Sequence, residues 1–436
     1  MSDTTWRDVA IRGGTVVDAT GARDADVIVA AGTGTVVAVG PHLAKDPPAG
    51  TLVLDAGGCV VAPGLVDLHT HLREPGHEEA ETVESGSRAA ALGGYTAVVA
   101  MPNTDPPMDS AAVVRQVLDL GSTALCEVAV AGAITMGRQG TRLAPMAEMA
   151  ALGVRLFTDD GNGVQDARLM RRAMEYASGV GVTLAQHCED GALAAGGHMH
   201  EGEWSSRLGI PGIPAEAEEL MVMRDIALAR LTGARLHLLH LSTAGSVTMV
   251  AAARAQGLPV TAEVAPHHFT LTHAELAGYD AVFKVNPPLR TTADVDAVKA
   301  GLQNGTIDAI ATDHAPHPQE AKEAPFDQAP PGMLGLETAL SLALSELQLP
   351  IEQTLALLSW QPARVAGLGA GHGGPVTEGA AANLCVIDPA DTWVVEAERL
   401  ASRSRNTPYA SRKMTGRVRH TVLQGEPVVV NGEAQR

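Results

Sequence analysis

Residues 65–73 read LVDLHTHLR, an apolar run that ends in two histidines and an arginine. A segment of helical character, ETVESGSRAAALGG at 81–94, follows it. Near-continuous apolar strands that alternate with helices are typical of a parallel sheet covered on both faces. We therefore take this stretch as the first strand and helix of a parallel α/β fold.

Seven further runs of this kind follow along the chain. They lie at 95–104, 125–135, 154–161, 182–190, 235–243, 260–268 and 307–317. Eight units indicate a closed barrel rather than an open sheet, and no GxGxxG motif opens a helix after the first strand. The sequence therefore predicts a (β/α)8 TIM-type barrel over residues 63–372.

The two ends of the chain have a different pattern. Residues 1–62 and 373–436 contain short β runs with glycine turns, so we expect them to form one small β-sandwich domain built from both chain ends. Two long irregular stretches, 196–214 and 317–333, interrupt the barrel pattern. Long loops of this kind often close over a site or bind ligands.

Composition excludes several classes of function. The net charge of −19 argues against nucleic acid and anionic membranes as partners. No apolar run approaches the ~18–20 residues of a membrane span, and the start of the chain lacks the features of a secretion signal. The four cysteines form no CxxC, which argues against a disulfide framework or a thiolate zinc site. We expect a cytoplasmic protein with a small-molecule substrate.

Metal-ligating residue types recur where the predicted strands end. His69 and His71 lie two residues apart, so a strand aims both imidazoles to the same side. Taken alone, the pair could equally be two histidines that only form hydrogen bonds at the barrel rim. However, carboxylates and imidazoles also lie at the ends of four other strands. Six such ligands suit one or two zinc-like ions. The further candidates are Asp159 or Asp160, His187, His240 and Asp313.

Three details qualify this set. Asp159 and Asp160 point opposite ways, and spacing leaves open which one enters the site. His237 is expected to face the core, and the second pair, His198 and His200, is interpreted as solvated loop. Many two-metal barrels bridge their ions with a carboxylated lysine. None of the five lysines lies between Lys45 and Lys284, so we expect an aspartate to bridge the ions here.

The motifs together resemble one known family. DLHTHLREPG, VVAMPNTDP, FTDDGNGV, AQHCED, VTAEVAPHHF, KVNPPLR and ATDHAPH occur in one order. They are similar to those of the bacterial class I dihydroorotases of the amidohydrolase superfamily, and the similarity runs almost end to end. The family interconverts N-carbamoyl-L-aspartate and L-dihydroorotate in pyrimidine synthesis.

The resemblance implies a role for each matching position. It implies that His69, His71 and Asp313 bind one zinc ion, that His187 and His240 bind a second, and that Asp160 bridges them while Asp159 stays outside. Asp313 would also be the general acid and base. The implied substrate contacts are Arg73, Asn103, Asn286, His317, Pro331 and Gly332.

Alternatives accompany these roles. Arg73 would otherwise form a rim salt bridge with Glu74 or a nearby acid, and His317 would otherwise only support its loop. A related cyclic amidase (a hydantoinase, dihydropyrimidinase or allantoinase) shares barrel and mechanism but usually carries the bridging lysine. A silent structural partner of aspartate transcarbamoylase would have lost metal ligands. We expect a homodimer, and some class I members also associate with that transferase.

Overall fold

The computed structural model describes residues 8–436. Residues 1–7, on which the expectation about a secretion signal partly depends, lie outside the described part. The amino-terminal strands are β1 (Asp8–Asp18), β2 (Gly21–Ala30), β3 (Thr35–Gly40), β4 (Leu52–Asp55) and β5 (Val60–Pro63). β1, β2 and β3 are antiparallel neighbours, whereas β4 and β5 run parallel to β1.

Eight parallel strands form the barrel. The strands of this part of the chain are β6 (Leu65–Thr70), β7 (Tyr95–Ala100), β8 (Glu127–Gly132), β9 (Leu156–Phe157), β10 (Thr183–Gln186), β11 (Met199–His200), β12 (Gly212–Ile213), β13 (Leu236–Leu238), β14 (Val260–Val264) and β15 (Ala309–Ile310). β11 and β12 pair only with each other, and the other eight form one sheet. The His71 amide donates to the His314 carbonyl across 2.9 Å, which joins the first strand to the segment after the last.

Helices alternate with these strands. They are α1 (Val83–Leu92), α2 (Ala111–Gly121), α3 (Met146–Ala150), α4 (Ala167–Val180), α5 (Gly191–Ala194), α6 (Glu203–Leu208), α7 (Glu216–Thr232), α8 (Ala244–Ala255), α9 (Thr292–Gln303), α10 (Gln319–Lys322), α11 (Ala339–Glu346), α12 (Ile351–Leu355) and α13 (Gln361–Val365). Short 3-10 segments lie at Met136–Arg138, Pro266–Phe269, His273–Gly278, Ala281–Phe283 and Ala397–Arg399, and a π-helical turn lies at Ala356–Trp360. The predicted (β/α)8 barrel is confirmed.

The carboxy-terminal strands complete the second sheet. They are β16 (Leu384–Val394), β17 (Lys413–Leu423), β18 (Glu426–Val430) and β19 (Glu433–Ala434). β16 pairs with β5, which joins both chain ends into one nine-stranded sheet with a shared apolar core. The predicted small β domain built from both chain ends is confirmed and consists of this one sheet, whereas its boundaries at 62/63 and 372/373 stay a prediction.

Two features of the barrel position its mouth. The strands are shorter than predicted, because the chain turns away at the carboxyl end of each strand, where the polar residues lie. In β14, Val260, Ala262 and Val264 belong to the apolar core, so Thr261 and Glu263 face the barrel interior. Within residues 8–436, no helix has the length and apolarity that crossing a bilayer requires.

Candidate active site

Six side chains meet at the carboxyl-terminal mouth of the barrel. His69, His71 and Asp160 form one group of potential ligands, and Asp160, His187 and His240 form a second. Within each group the ligand atoms all lie within 4.8 Å of one another. Oδ1 of Asp313 lies 3.2 Å from Nε2 of His71 and 3.5 Å from Nε2 of His69. The structure thus brings together all six predicted metal ligands.

The spacing of these atoms fits metal coordination. Four ligands that each lie about 2.0 Å from one zinc ion are about 3.3 Å apart. The Nε2 atom of His69 lies 3.4 Å from Oδ1 of Asp160, and Nδ1 of His187 lies 2.9 Å from Nε2 of His240. Nε2 of His69 is buried without a hydrogen-bond partner among residues 8–436. An ion would satisfy this nitrogen, so the residues fit a metal centre.

Asp160 occupies the centre of the cluster. Its carboxylate oxygens lie 3.4–3.7 Å from nitrogens of four histidines: His69, His71, His187 and His240. The side chain of Asp159 points the other way and accepts hydrogen bonds from the Ile134 and Thr135 amides. The sequence left open whether Asp159 or Asp160 enters the site. The structure places Asp160 there, within reach of both groups of histidines.

Hydrogen bonds fix the orientation of two of the histidines. The amide oxygen of Asn103 accepts from Nδ1 of His71 at 2.9 Å, which leaves Nε2 free to face the carboxylates. Nδ1 of His69 lies 2.9 Å from Glu263, whose other oxygen lies 3.0 Å from His237. Although burial opposes it, hydrogen bonds from these two histidines lower the pKa of Glu263 to about 2. A partner on the second ring nitrogen is typical of metal-binding histidines.

Three of the predicted site residues have unusual backbone conformations. Arg73, His240 and Asp313 have φ values of 64°, 30° and 48°. Residues other than glycine seldom adopt the left-handed region, and such strain clusters at functional sites. The fold therefore holds these three side chains in place at an energetic cost.

A basic wall lies beside the ligand cluster. Arg73 donates from Nε to the Pro316 carbonyl at 3.2 Å, and its Nη2 lies 3.3 Å from Nε2 of His317. That imidazole nitrogen also lies 2.9 Å from the Pro331 carbonyl, and it can donate to the carbonyl or accept from Arg73, but not both. Burial lowers the pKa of Arg73 to about 10, so the guanidinium stays charged at neutral pH. Burial and Arg73 lower the pKa of His317 to about 3.

Five of the six clustered ligands, all except His69, line one cavity of about 190 Å³ together with the basic wall. Asn103, Asn286, Pro331 and Gly332 also line it, so the structure brings all the predicted substrate contacts to one place. Oδ1 of Asn286 is buried without a hydrogen-bond partner among the described residues. The volume lies below the ~300 Å³ at which drug-sized pockets begin and suits a small metabolite.

Comparison with known proteins agrees with this site. A family model described as Dihydro-orotase-like matches residues 58–246. Dihydroorotase of Pelotomaculum thermopropionicum is 48% identical over 423 residues, which cover 96% of this chain and 98% of that protein. Dihydroorotase of Streptomyces coelicolor is 48% identical, with 97% and 98% covered, and that of Mycobacterium leprae is 50% identical, with 86% and 88% covered. The chain belongs to the dihydroorotase family.

Solved structures share the fold of this chain. A D-hydantoinase superposes with a TM-score of 0.85 at 24% identity, with 98% of this chain and 96% of that chain covered. The L-hydantoinase (dihydropyrimidinase) of Arthrobacter aurescens superposes with a TM-score of 0.87 at 25% identity, with 98% and 97% covered. Likeness at this identity supports the fold, while the dihydroorotase relatives support the function.

Sequence patterns missed several residues around this dihydroorotase site. Glu263 holds His69, and Arg138 donates to the backbone carbonyl of Asp160. The sequence offered one signal for Glu263: it alternates with the apolar residues of β14, so its side chain had to point to the other face of the strand, into the barrel. The interpretation of His200 as solvated was wrong, because it is 8% exposed and lies 3.2 Å from Arg290 in the short β11–β12 pair. His237 is buried, as predicted.

Proposed function

We propose that this chain is a bacterial class I dihydroorotase that interconverts N-carbamoyl-L-aspartate and L-dihydroorotate in cytoplasmic pyrimidine biosynthesis. The observation that carries the proposal is that five of the six candidate metal ligands and Arg73 line one small cavity. Hydrolysis of a cyclic amide that carries a carboxylate needs metal ligands beside the scissile amide bond and a cation beside the carboxylate.

Two zinc ions fit the ligand cluster best. His69, His71 and Asp313 would hold one ion, His187 and His240 the other, and Asp160 would bridge them. Asp160 supports this division because its oxygens face histidines of both groups. When bound, zinc would polarise the ring carbonyl and lower the pKa of a water molecule to about 7.

Asp313 is the proposed proton carrier. In hydrolysis its carboxylate takes a proton from the attacking water and gives it to the ring nitrogen as the C–N bond breaks. In cyclisation the same carboxylate takes a proton from the ureido nitrogen. Its position supports this role, because Asp313 lines the cavity and its Oδ1 lies 3.2 Å from Nε2 of His71 and 3.5 Å from Nε2 of His69.

The remaining polar groups of the cavity would bind the substrate. Arg73 offers a planar guanidinium that matches a carboxylate. In the free protein Arg73 and the Pro331 carbonyl both approach Nε2 of His317. A bound carboxylate would accept from Arg73 instead and leave His317 free to donate to Pro331. Asn103 would contribute its amide nitrogen, because its oxygen is engaged by His71. Asn286 has an unpaired buried oxygen for a ring N–H, and the backbone of Pro331 and Gly332 lines the cavity beside it.

The proposed assembly is a homodimer through α7. Met221 and Val222 of this helix are buried inside, while Leu220, Met223 and Leu231 form an apolar stripe on its outer face and are 45%, 54% and 62% exposed. A contiguous exposed apolar patch typically marks an interaction surface. Its first turn is acidic and Arg230 lies in its last turn. Two antiparallel copies of α7 would therefore pair their opposite charges as well as their apolar stripes. Association with aspartate transcarbamoylase is a separate proposal, which co-sedimentation tests.

Turnover of L-dihydroorotate by zinc-loaded protein tests the proposed function. The reaction is followed by the loss of ultraviolet absorbance, with dihydrouracil, hydantoin and allantoin as parallel substrates. We expect chelator-sensitive turnover of L-dihydroorotate alone. Turnover of a neutral ring would instead assign a hydantoinase-type activity, and no turnover of any substrate would indicate a silent partner or a missing transferase.

A further inference from the structure

The loop at 317–333 forms one wall of the cavity, and Lys322 lies behind that wall. The ammonium of Lys322 donates to the carbonyl oxygens of Pro330 at 2.9 Å and Gly332 at 3.0 Å. It also donates to the Lys284 carbonyl at 3.4 Å. An ammonium has three protons to donate, so these three carbonyls use its full capacity.

Each of these carbonyls belongs to a segment that lines the cavity. Pro330 and Gly332 are themselves lining residues, and Lys284 directly precedes Val285 and Asn286, which also line the cavity. The Gly332 amide also donates to the Lys284 carbonyl at 2.9 Å. Lys322 therefore ties the loop to the Asn286 segment at the point where they meet.

The tolerance for movement at this wall is small. Gly332 has a φ of 140°, and a Cβ at this position would lie 2.8 Å from both the Ala315 Cβ and the His317 Nε2. A shift of the Pro330–Gly332 backbone would therefore displace His317, which contacts Arg73. Such a displacement would disturb the groups that face the substrate carboxylate without moving the metal ligands.

The ammonium of Lys322 has no close anionic partner. Among residues 8–436 no carboxylate forms a salt bridge with it, and Asp280 acts on it only from a distance. Burial and the nearby Lys284 lower the pKa of Lys322 to about 7, so the side chain is partly charged at neutral pH. In its charged form it adds to the positive field of Arg73 and favours an anionic ligand in the cavity.

We propose that Lys322 is a positioning residue that holds the Pro330–Gly332 backbone and the Asn286 segment as one rigid wall for an anionic substrate. This inference rests on the proposed function. It assigns Lys322 no part in the chemical step. Its removal leaves the Pro330 carbonyl without a partner among the described residues. The Lys284 and Gly332 carbonyls keep their bonds from the Gly332 amide and from Asn406, and the zinc ligands and Asp313 keep their contacts.

The first test is Lys322→Met, with Lys299→Met as the matched control. Lys299 contacts Glu346 at 3.1 Å and lies outside the cavity. We expect the KM for L-dihydroorotate to rise about tenfold or more in Lys322→Met, with kcat within about threefold and zinc content unchanged. An unchanged KM, or a parallel loss of kcat and zinc, overturns the proposal.

Chemical rescue separates positioning from a general loss of stability. The four native cysteines are buried, so a Lys322→Cys variant offers one partly exposed thiol for alkylation of the folded protein. Bromoethylamine restores an ammonium at nearly the same distance, whereas iodoacetamide adds a neutral group of similar size. We expect the first reagent to restore KM and the second to leave it high. Equal effects of both reagents overturn the proposal.

Hydrogen exchange provides a readout that does not depend on turnover. In Lys322→Met, amides of residues 326–333 should exchange faster than in wild type, with no change around His69 or His187. Unchanged exchange overturns the positioning role. If zinc-loaded wild-type protein fails to turn over L-dihydroorotate, the proposed function fails, and the exchange experiment still decides whether Lys322 holds the loop.

Discussion

The Nδ1 atom of His69 lies 2.9 Å from Oε1 of Glu263, and both side chains are fully buried. The two residues are 194 positions apart in the chain and meet only because β6 and β14 line one barrel. This contact fixes the ring of His69 so that Nε2 points at Asp160 and Asp313. The candidate ligand cluster thus depends on an acid that does not itself line the cavity.

Glu263→Gln should weaken zinc binding. The amide no longer accepts the His69 proton with a full charge, and loss of such a partner typically lowers metal affinity 10–100-fold. Competition with a chromogenic chelator measures the affinity. Glu127→Gln is the matched control, because Glu127 also contacts a histidine, His372 at 2.9 Å, outside the site. Equal zinc affinities of the two variants would refute the role of Glu263.

Asp313→Asn should abolish turnover while the protein still binds zinc. The amide can ligate through oxygen but cannot carry the proton, so we expect kcat to fall about 10²–10⁴-fold. Asp308→Asn, five residues earlier and paired with Arg254 at 2.6 Å, is the control. Zinc content measured in parallel separates lost chemistry from lost metal. Retention of more than about a tenth of kcat contradicts the proton-carrier role.

Glu337→Gln should stabilise the protein at alkaline pH. Burial raises the pKa of Glu337 from 4.5 to about 7 despite hydrogen bonds from the Ala401 and Ser402 amides. The folded state therefore disfavours the charged form, and the free energy of unfolding falls as pH rises from about 4.5 to about 7. We expect the variant to gain up to ~3 kcal/mol at pH 8 and less than ~1 kcal/mol at pH 5.

Urea unfolding at the two pH values, at matched zinc content, measures this difference. Exposed Glu378 provides the control variant, Glu378→Gln, which should change neither value. A gain of the same size at pH 5 and pH 8 would show that the effect does not come from the ionisation of Glu337.

Met223→Glu should convert the proposed homodimer into a monomer. A two-fold axis across antiparallel α7 helices brings the middle of the helix close to its own copy, so two introduced carboxylates would repel each other and lose the apolar contact. Leu43→Glu, at a site 43% exposed on the small sheet domain, is the control. Sedimentation velocity measures the mass. A dimer that persists in Met223→Glu excludes α7 as the interface, and a monomeric wild type excludes the homodimer.

The sequence by itself determined the barrel, the domain built from both chain ends and most of the candidate site. Strand and helix periods repeat locally, and the carboxyl ends of parallel strands must meet at one mouth. Polar residues that end successive strands are therefore predictable neighbours. The absence of lysine between 45 and 284 also excludes a carboxylated lysine from this part of the chain.

Only the tertiary structure decided contacts between distant segments. It showed that Asp160 rather than Asp159 faces the histidines, that Glu263 holds His69, and that His200 is buried. It also brought Lys322 to the carbonyls of Lys284, Pro330 and Gly332. The pattern of a strand or loop says which way a side chain points, but not what lies opposite. That partner is set by how the barrel closes and how its loops pack, which depends on contacts across the whole chain.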